Sequence, residues 1–139
     1  MSSLPTNTTD FNSFQKGSLP DLLGVKVTAV DAAGVHASLT IKPHHLAPNG
    51  FLHAATVVML ADTCCGYGCI AQLPTGAKGF TTIELKSNHL GTATTGDITC
   101  VAQPAHLGRN TQVWDATVSA PDGKVMALFR CTQMVLWPR

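Results

Sequence analysis

The chain predicts an α+β domain in which one long central helix is wrapped by a curled antiparallel sheet of five to six strands. Three observations in the 139 residues carry this expectation. One strongly apolar segment, from His53 to Leu73, is long enough for a central helix. Several stretches alternate apolar and polar residues with the period of two that a half-buried strand requires. No β-α-β alternation is present to build a doubly wound parallel sheet.

The first residues, Met-Ser-Ser-Leu-Pro-Thr-Asn-Thr-Thr-Asp, lack the basic start and apolar run of a secretory signal. Positions 1–18 are therefore expected to form a flexible or partly helical segment, and 19–139 a single domain. Val25, Val27 and Ala29 alternate with polar neighbours, as do Val35, Ala37, Leu39 and Ile41, and Asp31-Ala-Ala-Gly34 supplies the turn of a hairpin. The stretch Pro43-His-His-Leu-Ala-Pro-Asn-Gly-Phe-Leu-His53 is rich in turn formers and feeds the apolar segment. That segment is apolar nearly all round, so a flat sheet cannot bury it; the sheet must curl or a second protomer must help. Gly66 and Gly68, each costing about 1 kcal/mol in a helix relative to Ala, are tolerated best where another part of the chain approaches closely. After the break at Pro74–Gly79, four strands are expected at roughly 80–89, 97–104, 111–120 and 124–136. Pro121-Asp122-Gly123 turns the last two against each other.

Composition excludes several classes of function. The net charge is +1 with no run of Lys or Arg, which gives no electrostatic footprint for nucleic acid or an anionic membrane. Asp62, His53 and two glycines argue against reading the apolar segment as a membrane span. Five cysteines without an export signal imply reduced thiols and a cytoplasmic protein. No C-x-x-C pair or suitably spaced His completes a metal site, so no metal is expected. Only 12% of residues are charged, which implies that part of the surface is buried in an oligomer.

Asp62 is the most informative residue. An ionised carboxylate in an apolar helix is costly unless it has a partner or a chemical task. Helical spacing sets Val58, Cys65, Gly66 and Cys69 on or near its face. His53, nine residues earlier, falls about 180° away and roughly 14 Å along the axis, so a site using both is expected to draw them from two protomers. The N–H groups of Ala54 and Ala55 at the helix start could hold a carbonyl oxygen or oxyanion. The alternative is that Asn49 and His53 cap the helix and close the turn.

The run A-P-N-G-F-L-H-A-A, followed by L-A-D-T and the strand start G-F-T-T-I-E-L, resembles the hotdog-fold thioesterases of the phenylacetate-degradation and 4-hydroxybenzoyl-CoA type. The likeness spans about Leu22 to Leu136. It implies a helix wrapped by an antiparallel sheet, protomers paired into a continuous sheet, and active sites at the dimer interface. It also implies hydrolysis of an acyl-CoA thioester, with coenzyme A as part of the substrate and no separate cofactor. Asp62 matches the catalytic carboxylate, as base or nucleophile, and His53 the family histidine, while Gly50 and Pro48 match the turn. Two positions depart: the family Asn falls on Ala47, leaving Asn49 two places late, and the Gly-Gly pair is Ala54-Ala55. Thr82 corresponds to a strand Ser or Thr that orients water in some relatives, though Thr is common on strands for propensity alone. Gly108-Arg109-Asn110 resembles the turn whose basic residue lies near the nucleotide end of coenzyme A. The expected assembly is a homodimer at minimum, with homodimer and homotetramer both left open and the homotetramer favoured. Two other activities fit the same resemblance less well, a 3-hydroxyacyl thioester dehydratase or hydratase and a non-catalytic acyl-CoA-binding module.

Overall fold

A computed structural model describes residues 4–139. Two short helices, α1 (Thr8–Phe14) and α2 (Leu19–Leu23), precede a hairpin of β1 (Lys26–Asp31) and β2 (Gly34–Thr40). A 3-10 turn at Pro43–His45 and a tight loop lead into α3 (Ala54–Ala71). The strands β3 (Gly79–His89), β4 (Asp97–Leu107), β5 (Thr111–Ser119) and β6 (Val125–Leu136) follow. All pairings are antiparallel, in the order β1-β2-β4-β5-β6-β3, and the six-stranded sheet curls so far that α3 touches every strand. This is the α+β architecture that the apolar segment and the alternating stretches predict.

Tertiary contact, rather than helix propensity, dictates the middle of α3. A Cβ on Gly66 would lie 3.0 Å from Phe80 Cζ, and one on Gly68 only 2.4 Å from Trp114 Cζ3. The two glycines therefore let β3 and β5 lay aromatic rings directly on the helix backbone, which offsets their poor intrinsic propensity. All five cysteines are unpaired and buried. Cys64 meets Cys100 and Cys65 meets Cys131; thiol contact and burial push the first of each pair well above the usual thiol range, while burial pushes Cys69 up to about 12. These are protonated core-filling side chains.

The N-terminal segment is tied down by more than its polar sequence suggests. Asn7 caps α1 by accepting from the Asp10 N–H, and Phe11, fully buried, stacks on Tyr67 of α3 at 4.7 Å between ring centroids. The Tyr67 hydroxyl donates to Gln15 Oε1 at 2.8 Å, and Gln15 Nε2 donates in turn to the Val25 carbonyl at 2.6 Å. Residues 1–3 of the expected flexible segment lie outside the described residues.

The simple alternation expected for β1 requires correction. Pairing shifts register between Val27 and Ala29, so the strand bulges at Thr28. Val27 is buried as expected, but Ala29 is only half-buried and Val30 instead packs against the core. The opposite edge of the sheet is β3, which carries the exposed apolar residues Ile83 and Leu85, with Leu90 just beyond it.

Candidate active site

The loop before α3 is built around a bridge between Leu46 and Leu52. The Ala47 N–H donates to the Phe51 carbonyl at 2.7 Å and the Gly50 N–H to the Ala47 carbonyl at 2.9 Å, with Gly50 at φ +88, where L side chains are strained. Asn49 closes the turn by accepting from the Phe51 N–H at 3.1 Å. His53 is the N-cap of α3, and its Nδ1 accepts from the Ala55 N–H at 2.9 Å. An accepting Nδ1 fixes the proton of the neutral ring on Nε2, which leaves that N–H as a donor on an exposed side chain. Both capping roles foreseen as the alternative for Asn49 and His53 are thus realised. Of the two expected amide donors, Ala55 is engaged by His53, while the Ala54 N–H has no partner among the described residues.

Asp62 is half-buried eight residues into α3, and its Oδ1 is enclosed with no hydrogen-bond partner among the described residues. Burial raises its pKa above the ordinary 3.8. It lines an apolar pocket of about 510 Å³ with Ala55, Val58, Met59 and Thr63 from α3 and Leu19 and Pro20 from α2. Cys65, Gly66 and Cys69 follow Asp62 along one face of the continuous helix, but they are buried and do not line its pocket, and Phe80 covers Gly66. One reading of helical spacing is corrected: as an N-cap with ψ 134, His53 lies off the helical wheel, and its pocket shares Leu19, Ala55 and Met59 with that of Asp62. The separation along the axis, roughly 14 Å, remains.

The other expected residues lie apart from these pockets. The Thr82 hydroxyl donates to Gln133 Oε1 at 2.6 Å, beside the register shift between Thr82 and Glu84 in β3. In the turn between β4 and β5, the Gly108 N–H donates to the Thr111 carbonyl and the Asn110 carbonyl accepts from the Val135 N–H, each at 2.9 Å. A side chain at Gly108 would strike His106 Nε2 and the Thr111 carbonyl, so only Gly fits. The Arg109 guanidinium stacks over the Trp137 ring at 4.2 Å, and Trp137 Nε1 donates to the Arg109 carbonyl at 3.2 Å. This turn is a rigid mount for one exposed cation.

The expected site residues include neither α2 nor His45. Ser18-Leu19-Pro20, a cap type followed by Pro near a helix start, is the signal that marks α2. Nothing in the pair His44-His45 distinguishes the buried ring from the exposed one.

The family model described as the thioesterase superfamily matches residues 49–127, the span that carries His53, Asp62 and Arg109. The chain belongs to this superfamily. It is 34% identical over 125 residues to thioesterase PA1618 of Pseudomonas aeruginosa, covering 90% of this chain and 86% of that protein. The crystal structure of a PA1618 mutant superposes with a TM-score of 0.89 over 96% of both chains. Thioesterase HI1161 of Haemophilus influenzae superposes with a TM-score of 0.85 at 26% identity, over 98% of this chain and 92% of that one. The 1,4-dihydroxy-2-naphthoyl-CoA hydrolase of Listeria monocytogenes is 29% identical over 116 residues, 82% of this chain and 92% of the relative. The fold is the hotdog fold, and the enzyme is a thioester hydrolase.

Proposed function

We propose that this thioesterase hydrolyses an acyl-CoA thioester at a site shared between two protomers. The observation that carries the reading is Asp62, whose enclosed oxygen has no partner among the described residues in a mostly apolar pocket. A fold does not retain such a carboxylate for stability, since an unsatisfied buried group costs about 1–3 kcal/mol. In this reading the thioester carbonyl binds at the start of α3, with the Ala54 N–H and the Nε2–H of His53 as the donors offered to its oxygen. Donors at that position stabilise the oxyanion formed on attack by about 3–4 kcal/mol.

Asp62 either takes the proton of the attacking water, so that the C–S bond breaks and coenzyme A leaves as the thiol beside the free acid, or attacks the carbonyl itself. In the second case the thiol leaves first, and water then cleaves the acyl-Asp62 anhydride to the free acid and the regenerated carboxylate. Desolvation favours both roles, because a carboxylate raised by burial is a stronger base and a less hydrated nucleophile. The axial separation supports assigning Asp62 of one protomer to His53 of the other. The exposed apolar edge of β3, with Ile83 and Leu85, supports the pairing of two protomers along that strand. Arg109, held over Trp137, is assigned to the phosphates of coenzyme A. Thr82, with its hydroxyl given to Gln133, is assigned to joining β3 to β6.

Thiol release from benzoyl-, 1,4-dihydroxy-2-naphthoyl-, hexanoyl- and palmitoyl-CoA, measured for wild type and Asp62→Ala, tests the reading. Wild-type turnover of at least one substrate with a loss of about 10²–10⁴-fold in the variant is expected. Hydration of an enoyl-CoA without thiol release would replace hydrolase by hydratase. Tight binding of acyl-CoA with no turnover would make the protein a binding module.

A further inference from the structure

His45 is buried to 1% exposure in the loop before α3 and belongs to none of the groups assigned to the chemistry. Its imidazole joins two elements. Nδ1 accepts from the Lys42 N–H at 2.9 Å, and Nε2 donates to the carbonyl of Leu23, the last residue of α2, at 2.6 Å. The same residue's carbonyl accepts two bonds at 3.0 Å, from the His53 N–H and from the Thr56 hydroxyl. The ring therefore holds α2, which walls the Asp62 pocket through Leu19 and Pro20, while the backbone holds the cap and first turn of α3.

We propose that His45 is a positioning residue that fixes the carbonyl-binding end of α3 relative to the α2 wall of the Asp62 pocket. The proposal rests on the thioesterase reading for its catalytic consequence but not for its structural one. It requires the neutral ring, because one nitrogen must accept while the other donates. The groups facing the ring are the side chains of Lys42 and of His44, whose ring centroid is 4.3 Å away, together with Leu23 of α2 and Thr56 of α3. Burial, followed by the charges of His44 and Lys42, outweighs the Leu23 hydrogen bond and lowers the pKa below the ordinary 6.5. Protonation would set an Nδ1–H against the Lys42 N–H and break the clamp. A depressed histidine contributes stability that is fully present above 6.5 and is lost as pH falls toward the folded value.

The test uses the full chain with two variants. His45→Phe keeps the ring volume and loses both bonds, whereas His45→Gln restores a neutral donor toward Leu23. We expect His45→Phe to lower kcat by about 10–100-fold with KM within about threefold, and His45→Gln to recover most of that loss. The acid-side fall in kcat should be shallower in both variants than in wild type. Nitrogen NMR of the wild-type ring should show the Nε2–H tautomer, and hydrogen exchange at the His53 amide should quicken at least tenfold in His45→Phe. A folded His45→Phe with wild-type kcat and wild-type His53 protection overturns the proposal. If wild type releases no thiol, the thioesterase reading fails, and the tautomer and His53 exchange alone decide the role of His45. If His45→Phe does not fold, the wild-type titration decides: a ring that protonates at 6.5 or above without disturbing the His53 amide overturns the proposal.

Discussion

Replacing Asp62 by Asn should make the protein more stable and much less active. The two carbonyl-bearing side chains have nearly the same shape, so the pocket formed by Leu19, Pro20, Val58 and Met59 keeps its contents while the charge is removed. Only Oδ1 is enclosed, and the residue as a whole is half-buried. An amide oxygen at that position stays unpartnered, so the gain comes from removing the charge alone and, in a half-buried site, should be about 1 kcal/mol. With roughly 2.1 cal/mol/K of unfolding entropy per residue, 1 kcal/mol corresponds to about 3–4 °C in Tm for a chain of 139 residues. The sign of the pH dependence follows from the raised pKa. Because the folded state holds the Asp62 proton more tightly than the unfolded chain, wild type carries no charge penalty below the ordinary 3.8, and the penalty grows as pH rises through the folded value. Melting curves of both proteins at several pH values should thus nearly coincide in acid and separate toward neutrality. Thiol-release assays at neutral pH should show a loss of about 10²–10⁴-fold in kcat. A variant that melts below wild type at neutral pH, or that matches its turnover, would refute the argument that this carboxylate is kept for chemistry at the expense of stability.

Gly68→Ala should shift the urea midpoint downward by an amount equivalent to about 1–3 kcal/mol, because its Cβ would lie 2.4 Å from the Trp114 ring. Phe11→Ala should cost about 3–5 kcal/mol by the same measurement, since it removes a fully buried ring stacked on Tyr67; a free-swinging N-terminal segment would instead show no change. Arg109→Ala should raise KM for acyl-CoA by about fivefold or more with kcat unchanged, and leave turnover of the corresponding N-acetylcysteamine thioester unaffected, as steady-state kinetics with the two thiols will show.

Local pattern was enough to set the kind of elements and their approximate limits. A half-buried strand alternates and a helix sealed on nearly all sides is apolar all round, so the helix at 54–71 and the strand at 111–119 are legible in pattern, whereas β3, exposed over most of its length, shows no such alternation in burial. The lone Asp62 was equally legible, since a charge among apolar neighbours stands out without any coordinates. Single positions within those elements were not. The β1 bulge depends on how Val27 and Ala29 meet β2, and the surface around Asp62 depends on where the sheet stops covering α3. His53 could not be placed by helical arithmetic, because a cap residue has left the helix whose geometry the arithmetic assumes.

What the sequence determined by itself is the class of fold, the isolated carboxylate and the loop that delivers His53 to a helix start. What only the tertiary structure decided is which groups are already spoken for. Ala55 is bound by His53, Thr82 by Gln133, and the imidazole of His45 by two elements far apart in sequence, while among the described residues the Ala54 N–H and Asp62 Oδ1 are left without partners. Hydrophobic period follows from near neighbours along the chain and can be read from it. Hydrogen-bond satisfaction is settled by groups that only folding brings within about 3 Å.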